Sequence, residues 1–394
     1  MSPPSAGAGR QPLLDRVRLR IAAGADGVEL AELARQESDL VLDSVVLDEL
    51  SGQLAADLSG AGPLEDLIAL PGVTDVLVNA HDEVWIDQGG GLQRVPIRFS
   101  SDAAVRQLAV RLAAQAGRRL DDATPFVDAV LPDGTRLHAV LPPVACRPSI
   151  SLRVLARRRL SLADLVAMKA MSAALADLLH ALVAARLTVL ISGGTGSGKT
   201  TLLAAMLGRV GEGERIITVE DAAELAIVHP HVVSLVARAA NLEQAGAVGL
   251  RELVRQALRM RVDRLVVGEF RGAEIVELLT ALNTGHSGGA ATVHANSVRD
   301  VPARLVALAA LGGMSADVVA AQAGSAVDVL LHVHRTRAGR RELDQVAMWP
   351  ASAGQPPSLV WTATSGLGPG AAELAARLVA AEVEVPALLA RTAP

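Results

Sequence analysis

The sequence predicts a mixed α/β protein whose larger part is a mainly parallel sheet with helices on both faces. From about residue 160 onward, apolar runs of strand length alternate with amphipathic helical stretches, which favours consecutive β-α units. Between residues 61 and 157 the strand patterns are short, alternating and joined by turns, which predicts a small α+β domain. A glycine-rich stretch at 193–200 lies between a predicted strand and a predicted helix, as in doubly wound sheets.

Four segments follow from these patterns. Residues 1–60 are predicted to form a disordered start and a helical appendage, which packs on its own core or docks a partner. Residues 61–157 form the α+β domain and residues 158–349 the larger α/β domain. Residues 350–394 form a linker and a C-terminal helix. The arginine run at 157–159 predicts a solvated linker between the two domains.

Hydrophobic periodicity gives the elements in chain order. In the α+β domain it predicts strands at 74–79, 83–87, 92–99, 127–131, 136–141 and 149–155, with a helix at 102–117. In the larger domain it predicts helices at 162–169, 173–186, 199–210, 250–260 and 273–283 and further helices to about 323. The strands there are predicted at 187–192, 215–219, 264–267, 291–294, 327–335 and 342–349. Residues 350–370 are predicted to be a loop or linker, and 371–382 a terminal helix.

The composition argues against a general nucleic-acid-binding protein. The 394 residues include three Phe, three Trp and no Tyr, which is too few aromatic rings for a base-stacking surface. Because 37 basic residues stand against 42 acidic ones, the net charge of −5 supplies no global attraction for a phosphate backbone. A single cysteine, Cys146, forms no internal disulfide. No apolar run is long and uninterrupted enough for a transmembrane segment, so we expect a cytoplasmic chain.

A phosphate-binding loop is the strongest signal in the sequence. Gly193-Gly194-Thr195-Gly196-Ser197-Gly198-Lys199-Thr200 matches the P-loop pattern at every fixed position. Glycines let successive backbone N–H groups converge on phosphate oxygens, and the N-terminus of the following helix adds a favourable dipole. We expect Lys199 to reach the β- and γ-phosphates, the Thr200 hydroxyl to bind Mg²⁺, and Thr201 to lie beside them. The motif predicts that the chain binds a nucleoside triphosphate.

Two predicted strands end in acidic residues. One continues into Glu220-Asp221 and the other into Gly268-Glu269. Ligands of doubly wound folds bind at the carboxyl ends of the strands, so Glu220 would polarise the attacking water while Asp221 orders the loop or the metal shell. Taken alone, acids after a strand are more often helix caps. Glu269 ends a strand like a Walker B, with Gly268 where an aspartate is usual, and would hold Mg²⁺ through water.

Two histidines, His286 and His294, flank a glycine-rich turn and a short strand. Metal ligation is one interpretation, but no Cys, Asp or Glu lies between residues 284 and 297 to complete a site. Neutral imidazoles that sense a γ-phosphate fit the predicted triphosphate better.

In order and spacing, the four segments resemble the Walker A, Asp box, Walker B and His box of the secretion ATPases of type II and type IV systems and type IV pili. Stretches 116–121, 127–134, 258–261 and 267–272 look like the tight-adherence (Flp) pilus assembly branch of that family. The resemblance covers roughly residues 60–345. Phe270, where a small aliphatic residue is usual, and His138, where asparagine is usual, are mild departures outside the phosphate machinery.

The resemblance implies a RecA-like P-loop ATPase domain behind a PAS-like N-terminal domain, assembled as a homohexamer. It implies ATP and Mg²⁺ as ligands, and ATP hydrolysis that powers pilus assembly or secretion. It places the chain at the cytoplasmic face of the inner membrane, bound to a membrane platform protein. Residue by residue, it matches Glu220 to the Asp-box glutamate, Glu269 to the Walker B glutamate, His286 and His294 to the His box, and Arg136 and Arg153 to nucleotide-facing arginines of the N-terminal domain.

The same residues argue against other classes of P-loop protein. A GTPase would need an Asn-Lys-x-Asp signature, which neither Lys169 nor Lys199 provides. A P-loop kinase gives no reason for the two histidines, and a RecA-like DNA-translocating motor would need basic loops or aromatic rings. A type IV secretion ATPase, a retraction motor and a nucleotide-dependent scaffold without turnover share the motifs. The cargo and the direction of work therefore stay open.

Overall fold

The computed structural model describes residues 60–154, 159–238, 246–285, 287–350, 352 and 354–390. The predicted N-terminal helical appendage and His286 lie outside the described residues. The chain divides into two compact units, residues 1–155 and 156–394, which are called the N-terminal and C-terminal units below. The domain boundaries predicted from the sequence stay predictions.

The N-terminal unit is built on a six-stranded antiparallel sheet with strand order β3-β2-β1-β6-β5-β4. Its elements are a 3₁₀ turn (Gly62–Leu64), α1 (Glu65–Ala69), β1 (Asp75–Ala80), β2 (Glu83–Asp87), β3 (Leu92–Val95), α2 (Asp102–Gln115), β4 (Phe126–Val130), β5 (Arg136–Val140) and β6 (Ser149–Arg153). Along β1, the residues Val76, Val78 and Ala80 are buried and alternate with residues on the other face. Helix α2 begins at a Ser101 cap and buries one apolar stripe in the same core.

The C-terminal unit contains a nine-stranded sheet with the order β15-β14-β13-β12-β7-β11-β10-β8-β9. Its helices are α3 (Leu162–Ala167), α4 (Ala173–Ala184), α5 (Lys199–Leu207), α6 (Leu250–Ala257), α7 (Ile275–Leu282), α8 (Val301–Ala310), α9 (Ala316–Ala326) and α10 (Ala371–Ala380). Its strands are β7 (Val189–Ser192), β8 (Ile216–Glu220), β9 (Val232–Val236), β10 (Arg264–Val267), β11 (Ala290–Val293), β12 (Val329–Arg335), β13 (Arg341–Met348), β14 (Ser358–Thr362) and β15 (Gly366–Leu367).

Strands β12, β7, β11, β10, β8 and β9 run parallel, and β13 to β15 extend the sheet by antiparallel pairing. Two hydrophobic clusters cover the two faces of the sheet. One includes residues of α4, α5 and α10, and the other includes residues of α6 to α9. In β7, Ile191 faces the first cluster and Leu190 the second. The mixed α/β class and the parallel sheet covered on both faces are thus confirmed.

Three segments depart from the sequence prediction. No strand was predicted at Val232–Val236, yet β9 pairs in parallel with β8 at the edge of the sheet, where its residues are only half-buried or exposed. The prediction of a loop or linker across 350–370 is wrong for β14 and β15. Four prolines and four glycines between residues 350 and 370 hid the short run Ser358–Thr362, whose Val360 is fully buried. The predicted strand 92–99 also ends early, at Val95.

Candidate functional site

The phosphate-binding loop connects the fully buried strand β7 to helix α5, as the sequence predicts. Its shape requires glycine. A Cβ on Gly193 would lie 2.3 Å from the Val333 carbonyl oxygen and 2.6 Å from Ser197 Oγ. Gly196 and Gly198 have φ angles of 68° and 98°, which side-chain-bearing residues rarely adopt. The backbone therefore forms a cradle that only glycines at these positions allow.

Lys199, the first residue of α5, is 6% exposed and points back into the loop. Its Nζ donates hydrogen bonds to the carbonyl oxygens of Gly193 (3.1 Å) and Gly194 (3.0 Å). The same Nζ lies 3.6 Å from Glu269 Oε1. The ammonium is thus held inside the loop, beside a carboxylate from another strand.

Hydroxyl side chains also line the loop. Ser197 is 3% exposed, and its Oγ has no hydrogen-bond partner among the described residues. Thr195 is exposed, while Thr200 and Thr201 in the first turn of α5 are half-buried. An unpartnered buried hydroxyl costs free energy unless a ligand satisfies it, so Ser197 fits a loop that receives phosphate oxygens.

The order of the parallel strands brings the predicted site residues to one edge of the sheet. Strand β7 pairs with β11, β11 with β10, and β10 with β8. The phosphate-binding loop, His294, Glu269 and Glu220 stand at or just beyond the carboxyl ends of these four neighbouring strands. The sheet therefore brings together residues that lie up to 101 positions apart in the sequence, at the edge where doubly wound sheets bind ligands.

Glu269 makes the most contacts with cationic groups in this cluster. Its side chain is 19% exposed, and its Oε2 accepts a hydrogen bond from Arg271 Nε (2.5 Å) and contacts Arg271 Nη2. Burial raises the pKa of Glu269, but the hydrogen bond and charge of Arg271 and the charge of Lys199 outweigh it and hold the pKa below its usual value. Glu269 is therefore an ionised carboxylate at neutral pH.

His294 Nε2 lies 2.9 Å from Glu269 Oε1, a distance at which the N–H of a neutral ring donates to a carboxylate. Burial and the charge of Lys199 lower the pKa of His294, and the opposite effect of Glu269 does not compensate. The imidazole is therefore neutral at pH 7, which agrees with the neutral ring that the sequence predicts here. The other histidine of the pair, His286, lies outside the described residues, and its predicted role stays a prediction.

Glu220 is 3% exposed at the end of β8. Its Oε1 accepts hydrogen bonds from the backbone N–H of Glu224 (3.0 Å) and Leu225 (2.9 Å), so the carboxylate orders the loop that follows it. A Cβ on Gly268 would lie 2.7 Å from Glu220 Cγ. The glycine that stands in place of the usual Walker B aspartate thus leaves room for the glutamate of the neighbouring strand.

Asp221, next in the chain, is exposed. Burial lowers the pKa of Arg271, but its hydrogen bond and attraction to Glu269, together with the charges of Asp221 and Glu224, raise it above its usual value. Asp221 therefore acts on the same cluster through Arg271.

Two further arginines, Arg271 and Arg341, contact residues of the site, although the sequence patterns do not assign them to it. Arg271 lies only two residues after Glu269, inside the stretch 267–272 that resembles the tight-adherence branch. Arg341 belongs to β13, and its Nε donates a hydrogen bond to the Gly196 carbonyl oxygen (2.9 Å). No local pattern marks Arg341, because the contact joins residues 145 positions apart.

Arg136 and Arg153 lie in the N-terminal unit, where β5 and β6 bring them directly opposite one another. They share a face of the sheet, opposite the buried Leu137 and Leu152. The structure therefore places the two predicted arginines side by side, and their role toward nucleotide stays a prediction.

No group of three or more His, Cys, Asp or Glu side chains within the described ranges could hold a metal ion. A magnesium ion held by one carboxylate, a hydroxyl, phosphates and water needs no such group. Among the helices that the structure describes, none is long and apolar enough to cross a membrane.

Comparisons with known proteins agree with these features. The sequence model of type II/IV secretion system proteins matches residues 57–343. A protein of two Mycobacterium tuberculosis strains named "putative conjugal transfer protein" is 56% identical over 329 residues, which are 82% of this chain and 94% of that protein. Conjugal transfer protein TrbB of Rhizobium radiobacter is 32% identical over 274 residues, 68% of this chain and 81% of its own.

Among solved structures, the Legionella pneumophila ATPase DotB superposes with a TM-score of 0.51 at 19% identity, over 80% of this chain and 84% of that one. At this identity the likeness shows a shared fold. The family match covers most of the chain, including the phosphate-binding loop, both acidic strand ends and the histidine segment. The chain belongs to the family of type II/IV secretion system proteins.

Proposed function

We propose that this protein is an ATP-hydrolysing motor of a pilus or secretion machine. One observation carries the proposal: Lys199 of the phosphate-binding loop lies 3.6 Å from Glu269, and Glu269 lies 2.9 Å from His294. A phosphate cradle, an ionised carboxylate and a neutral imidazole from three neighbouring strand ends thus meet at one point. Phosphoryl transfer depends on such positioning and charge stabilisation more than on covalent chemistry.

In this proposal the loop N–H groups and Lys199 bind the β- and γ-phosphates of ATP. The Thr200 hydroxyl and Glu269 hold Mg²⁺, which supplies positive charge to the phosphates. A magnesium ion takes oxygen ligands and is usually held by one or two carboxylates together with phosphates and water. Glu220 orients or deprotonates the attacking water, while Asp221 orders the adjoining loop. His294 donates a hydrogen bond without adding a charge, and His286 is assigned beside it by resemblance.

The proposal extends to assembly. We assign the C-terminal unit a RecA-like fold and the N-terminal unit a PAS-like sheet, which its antiparallel order with a helix on one face supports. The chain would work as a homohexamer at the cytoplasmic face of the inner membrane, bound to a platform protein. Arg136 and Arg153 would supply positive charge to the nucleotide. The stretches noted in the sequence favour the tight-adherence pilus branch.

A second candidate is a type IV secretion ATPase. The relative at 56% identity is named for conjugal transfer, which favours transport through a secretion channel over pilus assembly. The neighbouring genes separate the two, because prepilin and platform-protein genes would accompany a pilus motor.

The test of the ATPase proposal compares the only two lysines of the chain. Lys199→Ala should remove measurable phosphate release and strongly weaken ATP binding, because the ammonium neutralises charge on the β- and γ-phosphates. Lys169→Ala, which removes an exposed lysine, should leave both unchanged. Steady-state phosphate release and nucleotide titration are the measurements. Wild-type turnover in Lys199→Ala would overturn the assignment, and absence of phosphate release from the wild-type protein would favour a scaffold.

A further inference from the structure

The hairpin of β12 and β13 lies against the outer side of the phosphate-binding loop. Arg341 Nε on β13 donates a hydrogen bond to the Gly196 carbonyl oxygen (2.9 Å). The aliphatic part of the same side chain packs on the loop, since a Cβ on Gly198 would lie 3.4 Å from Arg341 Cδ. On β12, the Val333 carbonyl oxygen closes the space beside Gly193. The hairpin therefore contacts the beginning, the middle and the end of the loop.

The hydrogen bond to Gly196 fixes the direction of a neighbouring donor. In a trans peptide the C=O and the N–H point to opposite sides. Because Arg341 holds the Gly196 carbonyl from outside, the Ser197 N–H points toward the inside of the loop, where it donates a long hydrogen bond to the Gly194 carbonyl oxygen (3.4 Å). An inward N–H is what a phosphate-binding loop offers to its ligand. The glycines of the loop allow this peptide many other orientations, and fixing one of these orientations costs conformational entropy.

Lys199 and Arg341 hold the loop in different ways. Lys199 Nζ binds the Gly193 and Gly194 carbonyls, and it must leave them to reach phosphates. The Gly196 carbonyl is turned toward Arg341 on the outer side of the loop, so a phosphate inside the loop would not compete for this hydrogen bond. Of these two cations, Arg341 is the one whose contact with the loop would not have to break for a phosphate to bind.

We propose that Arg341 is a positioning residue for triphosphate binding, which orders the Gly196–Ser197 peptide before the phosphates arrive. The inference rests on the proposed nucleotide-binding function. It assigns to the hairpin, which lies beyond the recognised motifs, a role in the affinity for nucleotide. It predicts that the affinity for nucleotide depends on the N–H at the Nε position more than on the positive charge.

Two substitutions separate the donor from the charge. Arg341→Met keeps a long apolar side chain and removes both the donor and the charge. Arg341→Gln also removes the charge but keeps an N–H at the same distance along the side chain. Arg340→Met is the matched control, because Arg340 is exposed, belongs to the same hairpin turn and pairs with Glu342 Oε1 (2.9 Å) instead of the loop.

The full-length protein is titrated with a fluorescent ADP analogue and competed with ATP. We expect Arg341→Met to weaken binding about 10-fold, the upper end of what one ordinary hydrogen bond contributes. Turnover at saturating ATP should change less than about 3-fold, since the residue does not touch the reacting atoms. Arg341→Gln should bind within about 3-fold of wild type, and Arg340→Met should bind like wild type.

Amide hydrogen exchange of the 193–200 segment without nucleotide is a second measurement. It should accelerate in Arg341→Met and stay close to wild type in Arg341→Gln. Equal affinities of Arg341→Met and wild type, or equal losses in the Met and Gln variants, would overturn the inference. Failure of the wild-type protein to bind the analogue would instead overturn the proposed function.

Discussion

The contact between Gly268 and Glu220 predicts that a single methyl group on Gly268 disturbs the site. A Cβ there would lie 2.7 Å from Glu220 Cγ and 3.1 Å from its Oε1. Glu220 has little freedom to move away, because it is 3% exposed and its Oε1 accepts two backbone hydrogen bonds from the following loop. Gly268→Ala therefore forces either the strand or the glutamate to shift.

The expected cost follows from these contacts. Overpacking a buried site costs about 1–3 kcal/mol of the free energy of unfolding, and giving up one hydrogen bond to the carboxylate adds about 1.5–3 kcal/mol. For a unit of this size, overpacking alone corresponds to a fall in melting temperature of roughly 2–12 °C. ATP turnover should fall as well, because Glu220 moves from its place at the end of β8.

A double-mutant cycle measured by thermal unfolding tests this reasoning. Glu220→Ala removes the Cγ that a new methyl group would meet, so adding Gly268→Ala to that variant should cost at least about 1 kcal/mol less than in the wild type. Gly213→Ala is the control, because nothing lies within 4 Å of a Cβ at that position. The reasoning is refuted if Gly268→Ala melts like Gly213→Ala, or if its cost is the same in both backgrounds.

Glu220→Gln should keep ATP binding but lower turnover roughly 10²-fold or more, whereas Glu269→Gln should weaken Mg²⁺ binding and regain activity with excess metal. Phosphate release across a Mg²⁺ titration checks both expectations. Normal turnover of Glu220→Gln beside an inactive Glu269→Gln would mean that the two glutamates have exchanged roles. Turnover should be flat from about pH 7 to 8.5 and fall below about pH 6.5, because burial and the charge of Lys199 hold the pKa of His294 below its usual value and acid must charge a ring that the native site keeps neutral. The turnover of wild type and of His294→Asn measured against pH tests this expectation, and a loss of wild-type turnover that begins above pH 7 would contradict it. Arg153→Ala should lower turnover by up to roughly 10³-fold with a much smaller effect on ATP affinity, and specific activity of the wild type should rise with protein concentration as rings form; a monomer by light scattering with full activity at every dilution would contradict ring assembly.

The parts of the fold that local patterns determine could be predicted from the sequence. The strand 264–267 is predicted with its observed bounds because the apolar run 265–267 stands between the charged Asp263-Arg264 and the glycine at 268. The phosphate-binding loop was equally local, since its glycines and Lys199 are consecutive. The alternation of elements then indicated that the strand ends carrying Glu220, Glu269 and His294 share one edge of the sheet.

Features that depend on distant partners could not be predicted in this way. Strand β9 is an edge strand whose residues are only partly buried, so its pattern resembles a loop. Strand β14 becomes a strand by pairing with β13, and prolines and glycines flank its short apolar run. The contact of Arg341 with Gly196 likewise exists only because β12 and β13 return to the loop after more than a hundred residues.

The glycine at position 268 explains how the site obtains two glutamates without the usual Walker B aspartate. An aspartate there would place a Cβ and a second carboxylate in the space that Glu220 fills. Two carboxylates forced together in a buried place raise each other's pKa, and one would be protonated. With glycine, Glu220 enters from β8 and stays bonded to its own loop, while Glu269 extends toward Lys199 and His294. Adjacent strands thus supply the two acids from separate positions, and each acid has its own set of donors.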